Sequence, residues 1–260
     1  MKTKTRILSI DGGGIKGIVP AVVLSHLEKY LKQLSNNPNA RIIDYFDLFS
    51  GASTGAIIIA GLLTPDNHDR PKFTAEEIID LYIENGHVIF NASVLQEIKS
   101  VSGLVNVKYN PLGIESVFEE YFGNTQLKDL LKPTLIPVYE LSRGQNYFFR
   151  QQKAQTSSRH NYYLKDLLRS ATSAITYFPH SQISTVNNKA HRCFIDGGIF
   201  ANNPALSAYA EFRYHNPELY AKDTMMLSLG PGRQSPHLDC DITSSWASSE
   251  SLYQVGITTS

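Results

Sequence analysis

The chain is poor in cysteine, in net charge and in long apolar runs, and each shortage excludes something. Cys193 and Cys240 are the two cysteines among 260 residues. They can close at most one bridge and have no paired metal-ligand spacing, so unpaired thiols in a reducing compartment are expected and no metal site is implied. Twenty-four Lys and Arg balance 24 Asp and Glu, which leaves no global field to attract nucleic acid or to hold the chain on an anionic membrane. Any lipid contact must then be local and apolar. The basic start, Met1 to Arg6, leads into an apolar run that lasts only from Ile7 to Ile10, which is not a signal peptide. The longest apolar stretch, Ala56 to Leu63, is far short of the roughly 20 residues of a membrane span. No repeat of fixed period and no low-complexity tract is present. The expectation is one domain over residues 1–260, cytoplasmic or peripheral to a membrane, with 6–232 as its recognisable part and a Ser/Thr-rich tail over 233–260 that is truncated or loosely ordered.

What is there is a succession of strand, glycine turn and helix. Arg6 to Ile10 reads as a buried strand, and Val19, Val22, Val23, Leu27, Tyr30, Leu31 and Leu34 fall at helical spacing over Ile18 to Leu34. "DYFDLFSG" supplies a second strand ending in a glycine turn before "AIIIAGLL". Thr74 with Glu77 forms a capping-box pattern, and Asn110 followed by Pro111 marks another helix start. Between these helices, Gly86 to Tyr109 has no strong period and is the candidate for a mobile cover. Two strands around a turn at Ser142 to Gln145, a helix in "YYLKDLLRSATSA", a strand in "CFIDGG", a capped helix in "NNPALSAYAEFRYH" and a strand in "TMMLSLG" complete the pattern. Alternating strands and helices predict a three-layer α/β/α sandwich with a mainly parallel central sheet, its sites beyond the strand C-termini. The turns at Asp11, Ser53 and Asp196 then open on one edge.

Three motifs carry chemistry. Gly12, Gly14 and Gly17 have G-x-G-x-x-G spacing, but Asp11 would face a pyrophosphate, and no acidic strand end follows about 20 residues on, so the dinucleotide context fails. Consecutive free N–H groups at Gly12, Gly13 and Gly14 suit a carbonyl oxygen turning negative equally well. Gly51-Ala-Ser53-Thr-Gly55 is a G-x-S-x-G between strand and helix, the context of a nucleophile elbow, in which Gly51 and Gly55 relieve clashes and Ser53 stands exposed. The bland alternative is that Ser53 caps the helix. Asp196-Gly197-Gly198 ends a buried strand with a carboxylate, which reads as a base or as an ordinary turn.

Together, and in this order, Asp11-Gly-Gly-Gly-Ile-Lys-Gly17, Gly51-Ala-Ser-Thr-Gly55 and Asp196-Gly-Gly198 resemble the patatin-like phospholipases, as do "GGIFANNPA" and "LSLGPG". The resemblance implies a Ser–Asp dyad, with Ser53 as nucleophile, Asp196 as base and Gly12 to Gly14 as oxyanion hole. It implies a fatty-acyl hydrolase acting on phospholipids or other glycerolipids, with peripheral membrane contact and no cofactor. Asp11 is expected to hold the loop's turn, and Lys16 to offer a positive charge to a headgroup or to be solvated at a helix start. His215 and His237, the histidines after Asp196, are the alternatives for a triad. Lys16 stands where arginine is more frequent in the family, and Ile175 where proline is common. Ile15, Ile18, Phe200 and residues 88–104 are candidates for an acyl cleft, each readable equally as core. Acyl transfer to another alcohol, or a non-catalytic storage or binding role on the same fold, are the alternative functions.

Overall fold

The computed structural model describes residues 4–90, 111–175 and 178–232. Seven strands form one mixed sheet: β1 (Thr5–Ile10), β2 (Leu48–Gly51), β3 (Thr134–Glu140), β4 (Gln145–Arg150), β5 (Ser181–Ser184), β6 (His191–Asp196) and β7 (Thr224–Leu229). Strands β7, β1, β2 and β3 lie side by side and are parallel. β4 pairs antiparallel with β3, β6 antiparallel with β3, and β5 antiparallel with β6. The fold class is therefore α/β with a mixed, mainly parallel central sheet. The short β5 is not legible in the sequence, because a four-residue edge strand such as "SQIS" carries no usable period, and the reversed direction of β6 leaves no mark on its own residues.

Strand β3 organises the sheet. β4 runs along it from Leu135 to Glu140, so β2 and β6 must share its other edge. β2 pairs at Thr134 and Leu135, and β6 at Val138 to Glu140. The two strands approach head to head and stop on either side of Ile136 and Pro137. A Cβ built on Gly197 would lie 2.4 Å from the Pro137 carbonyl oxygen, which places the carbonyl of Pro137 toward this gap. In a strand the nitrogen points the same way, so the missing N–H of Pro137 faces a position where no ladder partner is needed.

The helices are α1 (Ile18–Leu34), α2 (Thr54–Leu63), α3 (Ala75–Ile89), α4 (Pro111–Phe122), α5 (Gln151–Thr156), α6 (Leu164–Ala171), α7 (Gly198–Ala201) and α8 (Ala205–His215). The main core joins α1, α2, α3, α4 and α6 to one face of the sheet, and a small cluster of Ile7, Leu48, Ala208 and Phe212 packs α8 on the other. Every residue of α2 is buried, as expected of a helix apolar all round. In α1 the buried stripe is Pro20, Ala21, Leu24, Ser25 and Glu28, whereas Val19, Val22, Val23, Tyr30 and Leu34 are exposed. Apolar spacing marks the helix, but most of the residues at that spacing are exposed, while Leu27 and Leu31 pack on the core. Ala21 and Ser25 are small enough to lie under packed neighbours, and the Glu28 carboxylate is satisfied by the N–H groups of Ile42 at 3.2 Å and Ala75 at 3.4 Å. The capping box at Thr74 forms in both directions, with Thr74 N–H to Glu77 at 2.7 Å and Glu77 N–H to Thr74 Oγ1 at 3.2 Å. The Asn110 cap, Cys240 and the 233–260 tail lie outside the described residues. Among the described residues no helix is long and apolar enough to cross a membrane.

Burial of α2 is the main apolar anchor of the site above it. Ile58, fully buried, replaced by alanine is expected to cost about 2–5 kcal/mol in urea unfolding. Leu206→Ala, at a residue 78% exposed, should stay within about 0.5 kcal/mol of wild type. Equal midpoints for the two variants would contradict this assignment of the core.

Candidate active site

The turn from β2 into α2 is tight enough to exclude side chains at both glycines. A Cβ on Gly51 would lie 2.4 Å from the Gly55 carbonyl oxygen, and one on Gly55 would lie 2.3 Å from that of Ile10. The turn is pinned to β1 by Ala52 N–H donating to Ile10 O at 3.1 Å. Ser53 between them has φ 50° and ψ −120°, a conformation non-glycine residues hold only where the surroundings impose it. Its side chain makes no capping bond to α2, so the helix-cap alternative fails. Behind Ser53, the Thr54 hydroxyl and the buried Tyr82 hydroxyl lie 2.5 Å apart, and Tyr82 also donates to Thr54 O at 3.1 Å. This ties α3 to the first residue of α2. Gly17 closes on the same point, since a Cβ there would fall 2.2 Å from Thr54 Oγ1.

Asp196 ends β6 and is only 4% exposed. Its backbone N–H donates to Ser173 O at 3.0 Å, and its Oδ1 accepts from Gly198 N–H at 2.8 Å. Burial pushes the carboxyl up to about 6, against the opposing pull of the Ser53 side chain and the Gly198 N–H. The carboxylate is thus a far better proton acceptor than a solvated aspartate. Because β2 and β6 meet head to head on β3, Ser53 and Asp196 come together from opposite directions, and not from parallel strand ends as the alternation of elements suggests.

The glycine loop lies against this pair. A Cβ on Gly12 would be 3.2 Å from the Ser53 Cβ and 2.2 Å from Asn202 Oδ1. The Gly12 N–H donates to Asn202 O at 2.9 Å, so Gly12 is removed from the set of free donors expected at Gly12, Gly13 and Gly14. The N–H groups of Gly13 and Gly14 have no acceptor among the described residues. Gly14 (φ 56°) opens the 3₁₀ turn Gly14–Gly17 that leads into α1, and Lys16 lies in that turn, half-buried. Asp11 N–H donates to Leu229 O at 2.9 Å and its Oδ2 accepts from Asn203 at 3.2 Å. Burial pushes the Asp11 carboxyl up to about 6.

Other expected residues fall apart from this cluster. His215 ends α8, 3.4 Å from Glu211, and His237 lies outside the described residues. The cover expected over 86–109 is instead the end of α3 as far as Ile89, and 91–109 lie outside the described residues. Ile15 is 45% exposed beside the glycine loop, Phe200 is half-buried against Phe148, and Ile18 packs on the core. Ile175 is exposed. In the sequence Tyr82 is one apolar position of an amphipathic helix, and the "NNP" that begins at Asn202 signals only a helix start.

An α/β sheet with a strained serine turn facing a buried carboxylate defines the class of site. A family model described as patatin-like phospholipase matches residues 8–209. Patatin-like protein 2 of Oryza sativa subsp. indica is 37% identical over 211 residues, covering 79% of this chain and 52% of the relative. Patatin group J-1 of Solanum tuberosum is 33% identical over 242 residues, covering 88% and 61%. The solved structure of VipD from Legionella pneumophila aligns with a TM-score of 0.40 and 14% identity, over 94% of this chain and 52% of that one. The chain belongs to the patatin-like phospholipase family. It spans about half to three-fifths of the length of these curated relatives.

The raised Asp196 pKa has a consequence for stability. The folded protein holds this proton more tightly than the unfolded chain, so the stabilisation is full below pH 4 and is lost as pH rises to about 6. At pH 8 the buried charge costs on the order of 3 kcal/mol. Asp196→Asn keeps the acceptor for Gly198 and carries no charge. Its melting temperature should exceed that of wild type at pH 8 and converge with it toward pH 4; an equal or lower value at pH 8 would contradict the burial argument.

Proposed function

We propose that this protein is a lipid acyl hydrolase that cleaves fatty-acyl esters of glycerophospholipids through an acyl-serine. The observation that carries the reading is Ser53 in its strained turn beside the buried, proton-accepting Asp196. Ser53 Oγ attacks the ester carbonyl carbon as its proton passes to Asp196. The carbonyl oxygen becomes an oxyanion and is held by the N–H groups of Gly13 and Gly14. As the tetrahedral species collapses, the bond to the glycerol oxygen breaks and Asp196 returns the proton to that oxygen. Water then attacks the acyl ester, giving its proton to Asp196, and collapse releases the fatty acid while Ser53 regains the proton. The dyad works without a histidine because burial gives the carboxylate a pKa near neutrality.

The lipid class is inferred from family membership and from the apolar, exposed Ile15 in the turn that follows the glycines; with no net charge on the chain, peripheral contact with a lipid surface would be local and apolar. An acyl-serine can also pass its acyl group to another alcohol. Product analysis with a competing alcohol separates hydrolysis from transfer. A storage role leaves the strain at Ser53 and the buried charge at Asp196 without a purpose.

A fluorophosphonate probe should label wild-type protein at Ser53 and leave folded Ser53→Ala unlabelled. Hydrolysis of defined phospholipids should fall at least about 1,000-fold in Ser53→Ala. With Asp196 as base, kcat/KM should rise with pH through about 6 and level off above it. Undiminished hydrolysis by Ser53→Ala would overturn the reading.

A further inference from the structure

We propose that Asn202 is the positioning residue of the oxyanion hole, turning the Gly12–Gly13 peptide so that the Gly13 N–H faces the reacting carbonyl and locking that peptide to the segment that carries Asp196. The inference rests on the reading of Gly13 and Gly14 as the hole, and goes beyond it by saying what aims them.

Glycine loops need such a device. With no side chains to restrict them, consecutive glycines can rotate their peptide planes, and a donor pointing away from the carbonyl contributes nothing. Asn202 grips Gly12 at both of its polar backbone atoms. Its main-chain carbonyl accepts the Gly12 N–H at 2.9 Å, and its side-chain Nδ2 donates to the Gly12 carbonyl at 3.3 Å. In a trans peptide the carbonyl of one residue and the N–H of the next point in opposite directions. Holding the Gly12 carbonyl toward Asn202 therefore sends the Gly13 N–H away from it. The next plane is fixed in the same manner: the Gly13 carbonyl accepts Lys16 N–H at 3.2 Å, which sends the Gly14 N–H out of the open end of the 3₁₀ turn. Both donors are thus set by the partners of the carbonyls that precede them.

The grip also fixes the hole relative to the base. Asp196 lies just before α7 and Asn202 just after it, so one short helical turn carries both. The Asn202 Oδ1 and Asp196 Oδ1 atoms each lie 3.2 Å from the position a Cβ on Gly198 would occupy. Asn203 adds a second tie, donating from Nδ2 to Asp11 at 3.2 Å and accepting Ala205 N–H at 3.0 Å. Asp11 and Gly12 are therefore held by two successive asparagines, which tie the loop to the segment that carries Asp196. The space at Gly12 admits only hydrogen, so the asparagine amide sits directly against the backbone that it orients.

The test uses Asn202→Ala and the isosteric Asn202→Asp, which both lose the donor to Gly12 while keeping the main-chain carbonyl. In each, kcat on a defined phospholipid should fall about 10- to 100-fold, with KM within about twofold. The rate of fluorophosphonate labelling should fall by a similar factor, because the tetrahedral adduct places its oxygen in the same hole. In uncut wild-type protein, amide NMR before and after phosphonylation should move the Gly13 and Gly14 protons downfield and leave Gly12 in place. Wild-type kcat in both folded variants, or a downfield shift at Gly12, would overturn the proposal for Asn202 while leaving the Ser53 reading standing. Unchanged turnover in Ser53→Ala would instead overturn the reading beneath it.

Discussion

The site depends on one constraint: two strands that run toward each other end on the same edge of a third. β2 stops after its pairing at Leu135, β6 stops at Val138, and the turn out of β2 and the carboxylate at the end of β6 share the short gap between them. The turn is forced to be tight, which explains glycine at positions 51 and 55 and the left-handed backbone at Ser53. The carboxylate is forced to be buried, which explains its raised pKa. Proline at position 137 fits because this stretch of β3 has no strand partner on that side.

Strain and buried charge are both unfavourable, and the surroundings that hold them are extensive. Below Ser53 lies α2, wholly buried. Beside it, Tyr82 joins the first residue of α2 to α3. Behind Asp196, Ser173 accepts the backbone N–H, and the Ser173 hydroxyl in turn receives Arg169 at 2.6 Å. Arg169 is itself buried and held by Glu115. Among the described residues, the Asp196 carboxylate takes its hydrogen bonds from the Ser53 side chain and the Gly198 N–H, both uncharged; a charged donor there would lower its pKa.

Much of this was legible in the sequence where a local rule was strong. The limits of α1 came directly from helical spacing, the start of α3 from the Thr74 and Glu77 pair, and the serine turn from two glycines flanking Ser53 after an apolar strand. What was not legible depended on contacts distant in sequence. Which face of α1 is buried is not legible, because Glu28 is satisfied by backbone donors at Ile42 and Ala75, which no periodicity reveals. The direction of β6 was hidden because a strand sequence carries no sign of its partner's orientation. Gly12 read as a free donor, since nothing in "DGGGIKG" says that a residue 190 positions later takes its N–H. The asparagines at 202 and 203 read as a helix start, and Asn203 does accept the first N–H of α8, from Ala205; the second task of the pair shows only when the loop is beside them.

The central claim is that an acyl group passes covalently through Ser53. Rapid acid quench of the protein during turnover of a phospholipid of known acyl composition, followed by peptide mass mapping, tests it most directly. The account predicts the acyl mass on the peptide containing Ser53, appearing within one turnover and accumulating when deacylation is slowed. Turnover with no acylated peptide under those slowed conditions, or an acyl group carried by a different residue, would contradict it.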